Sequence, residues 1–227
     1  MIATLRRSAA PMRSAIGISL LALALAGCAK NKGELVVDDS VGVTALRSPC
    51  PTVAIPEMTG DVTLFSAPGR TDSAAIDVTA AITNLRSTCN DAAGQDKLYT
   101  EATFDVLARR SDTRGARHVD LPYFSSVMRG GNVVVAKRLG TISLDFADGQ
   151  DRAQATGKAG SYVDRAQATL PAEIRQRLSK KRRAGDADAA TDPLSQPDVK
   201  AALAKASFEL LVGFQLTDQQ LAYNVTR

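Results

Sequence analysis

Apolar residues recur at every second position through most of the chain from Pro51 onward, the period of a strand with one buried face. In the run 74–83, Ile76, Val78, Ala80 and Ile82 share a face opposite Asp77, Thr79 and Thr83. In the run 99–108, Ala102, Phe104, Val106 and Ala108 oppose Glu101, Thr103 and Asp105. Each pattern predicts a strand with one face on a core and the other in water. Between 121 and 146, two strand-like runs flank Arg129-Gly130-Gly131-Asn132, which has the residue types of a tight hairpin turn. The second run ends on Ile142, Leu144 and Phe146, before a turn at Asp148-Gly149. Phe208, Leu210, Val212 and Phe214 alternate in the same way, and Leu221, Tyr223 and Val225 predict a partner strand that completes a C-terminal hairpin. With shorter runs at 52–55, 62–66 and 161–168, the pattern predicts about eight or nine strands. The expected fold is mainly β: an antiparallel β-sandwich, immunoglobulin-like in architecture.

The period changes at 171–206. Good helix formers follow Pro171, a residue suited to a first turn, and Ile174 and Leu178 make a narrow i, i+4 stripe. Residues 184–197 are too rich in Gly, Pro, Asp and Ala to be regular. A second short helix is expected over 198–206, with Val199, Leu203 and Ala206 inward. The segment is read as a short helical insertion in the sandwich. A membrane barrel fits poorly, because the chain has no Trp, is 4% aromatic, and carries Asp, Glu, Thr and Arg on the outward strand positions.

Candidate chemistry is sparse. The only histidine, His118, has no G-x-S-x-G, S-x-x-K or H-E-x-x-H context and reads as a surface or strand-edge residue. Gly157-Lys158 lacks the flanking residues of a phosphate loop and reads as a turn. Asp145, Asp148, Gly149 and Asp151 miss the spacing of a calcium loop and read as a hairpin turn. No cofactor and no metal are expected. The feature above background is basic: Arg175, Arg177, Lys180, Lys181, Arg182 and Arg183 fall within nine residues, with Glu173 as the nearby acid. They are candidates for binding an acidic envelope protein or an anionic envelope polymer, against the blander reading of a solvated helix offset by Asp186, Asp188 and Asp192.

The first 27 residues have the parts of a signal peptide: Arg6, Arg7 and Arg13 at the start, an apolar stretch from Ile16 to Ala26, and small residues at the end. The apolar stretch is well short of the roughly 20 residues that a membrane span needs. Ser8-Ala9-Ala10 after Arg6-Arg7 lacks the apolar continuation of a twin-arginine signal, so general export is expected. The end of the leader, Leu25-Ala26-Gly27-Cys28, resembles the lipobox of bacterial lipoprotein precursors. That resemblance implies cleavage between Gly27 and Cys28, a diacylglycerol on the Cys28 thiol and acylation of the new amino group. It also implies, from Ala29 where an Asp would signal retention, the periplasmic face of the outer membrane, with the inner membrane's periplasmic face or the cell surface as alternatives. Several acyl chains on one residue hold a protein at a bilayer almost permanently.

The resulting organisation is a leader at 1–27, a tether at 28–48 and a β-sandwich domain at 49–227. The leader holds three of the 28 basic residues and none of the 24 acids, so its loss takes the formal charge from +4 to +1. That removes the electrostatic case for a nucleic-acid partner. Cys50 and Cys89 remain, outside any C-x-x-C spacing. In an oxidising compartment two such cysteines are expected to form a disulfide, with two buried thiols as the alternative. The mature chain as a whole, and especially its closing run 206–227, is similar to uncharacterised lipoproteins of sphingomonad-type alphaproteobacteria, a resemblance that carries no catalytic motif. The expected function is a non-enzymatic binding, assembly or structural module tethered to the membrane through Cys28. The alternatives are an envelope-acting hydrolase or transferase, and a carrier of a hydrophobic ligand.

Overall fold

The structure is a computed structural model that describes residues 48–180 and 191–227. Eight strands are present among them: β1 (Thr52–Ala54), β2 (Asp61–Phe65), β3 (Ile76–Asn90), β4 (Lys97–Arg110), β5 (Arg117–Arg129), β6 (Val133–Phe146), β7 (Arg152–Asp164) and β8 (Phe208–Phe214). They form two four-stranded sheets, ordered β1-β8-β5-β6 and β2-β3-β4-β7. The sheets pack face to face, so the expected β-sandwich is present. All neighbours are antiparallel except β1 and β8, which run parallel from Thr52↔Glu209 to Ala54↔Leu211.

Strand alternation accounts for the core. Val78, Phe104, Val106, Leu121, Leu144, Phe146, Leu210 and Phe214 are buried between the sheets, and each lies on a face predicted from period two or continues one. The β5–β6 hairpin turns where Gly130 and Gly131 take φ values of 64° and 77°, conformations that side-chain-bearing residues rarely adopt. Four α-helices, α1 (Arg165–Ala168), α2 (Ala172–Ser179), α3 (Pro197–Ala206) and α4 (Asp218–Thr226), and single 3-10 turns at Ser73–Ala75 and Pro193–Ser195 complete the described chain. The expected helical insertion is α2 and α3, which bury Ile174, Val199 and Ala206 with Leu170 in a small second cluster.

Two segments depart from the sequence pattern. The run expected as a strand at 161–168 ends its strand at Asp164 and turns into α1, while β7 starts much earlier, at Arg152. Its inward positions include Gly157, Ala159 and Ser161, so it buries a face without the large apolar residues that reveal one. Small residues are required there. A Cβ on Gly157 would meet the Phe104 ring and come within 2.8 Å of Ile142 Cδ1. Gly157→Ala is therefore expected to destabilise the fold by about 1–3 kcal/mol through overpacking, read as a lower urea midpoint. An unchanged midpoint would show that Phe104 has room to move.

The second departure is the C-terminus, where Leu221, Tyr223 and Val225 form no strand but lie in α4. Thr217 and Gln220 make a reciprocal capping box: the Gln220 amide donates to Thr217 Oγ1 at 3.3 Å, and the Thr217 amide donates to Gln220 Oε1 at 2.8 Å. The helix is docked by Asn224, whose buried Nδ2 donates to Met58 O at 2.8 Å and Asp61 O at 2.9 Å. Tyr223 adds an edge-to-face contact with Phe65. Leu221 and Val225, expected on a buried face, are exposed.

Candidate functional site

Three places hold the chain's candidate chemistry. The first is the basic segment. Arg175 and Arg177 lie on α2, and Lys180 follows its last residue. Lys181, Arg182 and Arg183 lie outside the described residues, as do Gly27 and Cys28. Arg177 is engaged within the fold: Nη2 is 2.6 Å from Asp198 Oδ2 and Nη1 donates to Gln196 Oε1 at 3.1 Å, both at the start of α3. Its guanidinium holds the Asp198 carboxyl below the usual carboxylate range. Asp192, expected as part of the offsetting loop, instead accepts from the Leu194 amide at 2.9 Å. Beside these helices lies a groove of about 460 Å³ whose charged lining is mixed: Arg129, Glu173, Arg177, Asp198 and Lys205.

The second place is the outer face of the β5–β6 hairpin. Register pairs His118 with Asp145 and Asp120 with Ser143. His118 Nδ1 is 2.6 Å from Asp145 Oδ1 and Nε2 is 3.1 Å from Asp120 Oδ1. Ser143 Oγ donates to Asp120 at 2.6 Å. Both ring nitrogens are thus occupied by carboxylates, and the serine is bonded to a carboxylate rather than to the imidazole. The arrangement is an electrostatic clasp, without a hydroxyl aligned for activation by a base. The hydrogen bond to Asp145, helped by the charge of Asp120, raises the His118 pKa above the ordinary 6.5. A raised folded-state pKa contributes stability that is fully present below the unfolded value and is lost as pH rises through the folded one. The expected result is an imidazole titration above 6.5 by proton NMR, with His118→Gln removing a small fall in stability on the alkaline side of that point. A titration at or below the ordinary value would show that the clasp does not hold in solution.

The third place is the open edge of one sheet. β6 is an outer strand, hydrogen-bonded to β5 on one side only. From Ile142 to Phe146 it alternates buried and exposed, as predicted, but from Val133 to Leu139 every residue is exposed. Val133, Val134, Val135 and Leu139 expose 53%, 58%, 50% and 68% of their surface. A register shift against β5 between Val127 and Met128 leaves Val135 as a bulge, after which the ladder is regular. Lys137 Nζ sits 5.1 Å from the Phe124 ring centroid on the neighbouring strand. Arg138 lies opposite Ser125 and lines a cleft of about 110 Å³ with Val127, Ala136, Ser161 and Tyr162. The cleft opens where β6 of one sheet meets β7 of the other. Among the described residues no carboxylate pairs with the Arg138 guanidinium.

Sequence reasoning missed this third place. Its signal is the run Val133-Val134-Val135-Ala136, four apolar residues in a row where a half-buried strand alternates. No group of three His, Cys, Asp or Glu side chains suited to a metal ion occurs among the described residues. Comparison of the chain with family models, with curated proteins and with solved structures gives no match.

Proposed function

We propose that this protein is a membrane-tethered binding module of the bacterial cell envelope, non-enzymatic and held by lipid on Cys28, with the β6 edge as its contact surface. The observation that carries the reading is the exposure of Val133, Val134, Val135 and Leu139 together on an unpaired strand edge. Exposed apolar patches on strand edges invite pairing with another chain. The lipid tether rests on the Leu25-Ala26-Gly27-Cys28 motif, and the periplasmic face of the outer membrane on Ala29.

The test has two arms in living cells. A photo-crosslinking residue at Leu139 should give a repeatable protein adduct, while one at Gln154, on the solvent side of β7, should not. Failure to capture anything at Leu139 would return the edge to a solvated surface. Fatty-acid labelling should be lost in Cys28→Ala, and labelling that persists would overturn the anchor. Fractionation of the labelled protein then reports which membrane holds it.

A further inference from the structure

We infer that the β6 edge takes an extended acidic segment of a partner protein, which adds to the sheet as a further strand with carboxylates opposite Lys137 and Arg138. The inference rests on the reading above that this edge is the contact surface, and it specifies the chemistry of what binds there.

Three occupants of such an edge can be weighed: a bilayer, a second copy of this chain, and a foreign strand. A bilayer would satisfy the exposed valines and Leu139 and would attract Lys137 and Arg138 if anionic. It offers no partners to the backbone N–H and C=O groups along the open side of β6, and unsatisfied backbone groups are strongly disfavoured in hydrocarbon. A second copy would satisfy that backbone. Pairing β6 with itself, however, brings Lys137 and Arg138 of one chain toward those of the other, and the segment Val133–Leu139 carries no acid to offset them. A strand with adjacent acids satisfies the backbone, the apolar flanks and both cations together.

The geometry makes the acidic positions specific. The bulge at Val135 interrupts the ladder with β5, and Lys137 and Arg138 lie in the regular part beyond it. The two side chains leave opposite faces of the strand. Lys137 lies over Phe124 on the outer face. Arg138 lines the cleft between the sheets, where Ser125 and Ser161 are nearly buried and Tyr162 stands at the mouth. A carboxylate entering that cleft meets an exposed guanidinium with no carboxylate of its own, and the planar fork of arginine makes that pairing directional. Two adjacent acids on an extended partner alternate faces as Lys137 and Arg138 do.

The experiment uses the full mature chain in detergent micelles and a fluorescent acetyl-TVEEVT-amide peptide, whose palindromic sequence places its acids correctly in either strand direction. The expected result is binding with slowed amide exchange over Val133–Leu139. Binding should weaken about tenfold or more for acetyl-TVKKVT-amide and for Lys137→Glu/Arg138→Glu, and that variant should prefer the lysine peptide. Both substituted positions are solvent-exposed, and the peptide comparison on the unaltered chain reads charge preference even if the variant is unstable. Equal binding of the two peptides, protection elsewhere, or no binding overturns the inference. So does a β6-mediated dimer in sedimentation, or charge-dependent attachment to anionic vesicles through Lys137 and Arg138 without any peptide preference. A protein adduct from Leu139 combined with no peptide preference would leave the contact surface standing and remove only the acidic-strand chemistry.

Discussion

Replacing Arg110 with methionine is expected to destabilise the domain by about 3 kcal/mol or more, read from urea unfolding. Arg110 ends β4 and is 2% exposed. Its Nε donates to Gln150 O at 2.8 Å, and the two N–H groups of Nη2 are shared among Thr113 O, Gly115 O and Ala147 O, each at 2.9 Å. Those carbonyls belong to two loops, 111–116 and 147–151, which carry the chain from β4 to β5 and from β6 to β7. Both loops cross between the sheets at this end of the sandwich, and the guanidinium joins them together with the Gly149 amide, which donates to Thr113 O, and the Gly115 amide, which donates to Asp148 Oδ1. The cation also lies 5.3 Å from the Phe146 ring centroid, where an apolar side chain of similar length keeps the packing but leaves Gln150 O and Gly115 O without a donor, and Thr113 O and Ala147 O with only the backbone amides of Gly149 and Gln150. Arg110→Lys should recover less than half of the loss, because one ammonium cannot fan out to both loops as the planar guanidinium does. A loss below about 1 kcal/mol for Arg110→Met would mean that water replaces the guanidinium at those carbonyls.

Breaking the Cys50–Cys89 disulfide is expected to cost about 4 kcal/mol, because the bond closes a loop with a sequence separation of 39 in the unfolded chain. For a domain of this size that lowers the melting temperature by roughly 10 °C. The bond joins the two sheets: Cys50 lies two residues before the start of β1, and Cys89 is in β3 of the opposite sheet. β1 has only three paired residues, so the bridge does much of the work of holding the start of the domain in place. The double change Cys50→Ser/Cys89→Ser is the right comparison, since a single one leaves a reactive thiol. Superimposable melts of the oxidised and reduced chains would contradict the account.

The parts of this fold that were legible in the sequence are those where period two coincides with large apolar residues. Ile76 to Ile82, Ala102 to Ala108, Ile142 to Phe146 and Phe208 to Phe214 all occupy the strands and faces expected. The hairpin turn at Gly130-Gly131 was legible from its glycines. β7 was hidden because it presents Gly157 and Ala159 to a core already filled by Phe104 from β4. The final helix was misread because Leu221, Tyr223 and Val225 alternate by coincidence, while the deciding signal was Thr217 and Gln220 at capping-box spacing.

The candidate site was less legible for a different reason. Sequence singled out Arg175 and Arg177 by local charge density, yet Arg177 is bound to Asp198 and Gln196 of the next helix. Arg138 stands among apolar residues with one basic neighbour and attracts no notice in a linear reading. Its significance depends on β6 being an edge strand and on β7 supplying Ser161 and Tyr162 from the other sheet. Edge position is a property of strand order, which the alternation of residues along one strand does not encode.

The most direct test of the binding-module reading is the reactivity of Lys137 toward a lysine-acylating reagent, measured by mass spectrometry relative to Lys158 in the same chain. Lys137 belongs to the exposed half of β6, while Lys158 sits on the outer face of β7 beside Glu101 at 3.5 Å. Comparing that ratio between the purified protein and the protein in intact cells cancels the intrinsic difference between the two amines. If the edge is occupied in the envelope, Lys137 is labelled readily in the purified chain and several-fold less in cells, with Lys158 unchanged. An identical ratio in both settings would contradict the assignment of the β6 edge as the surface through which this protein works.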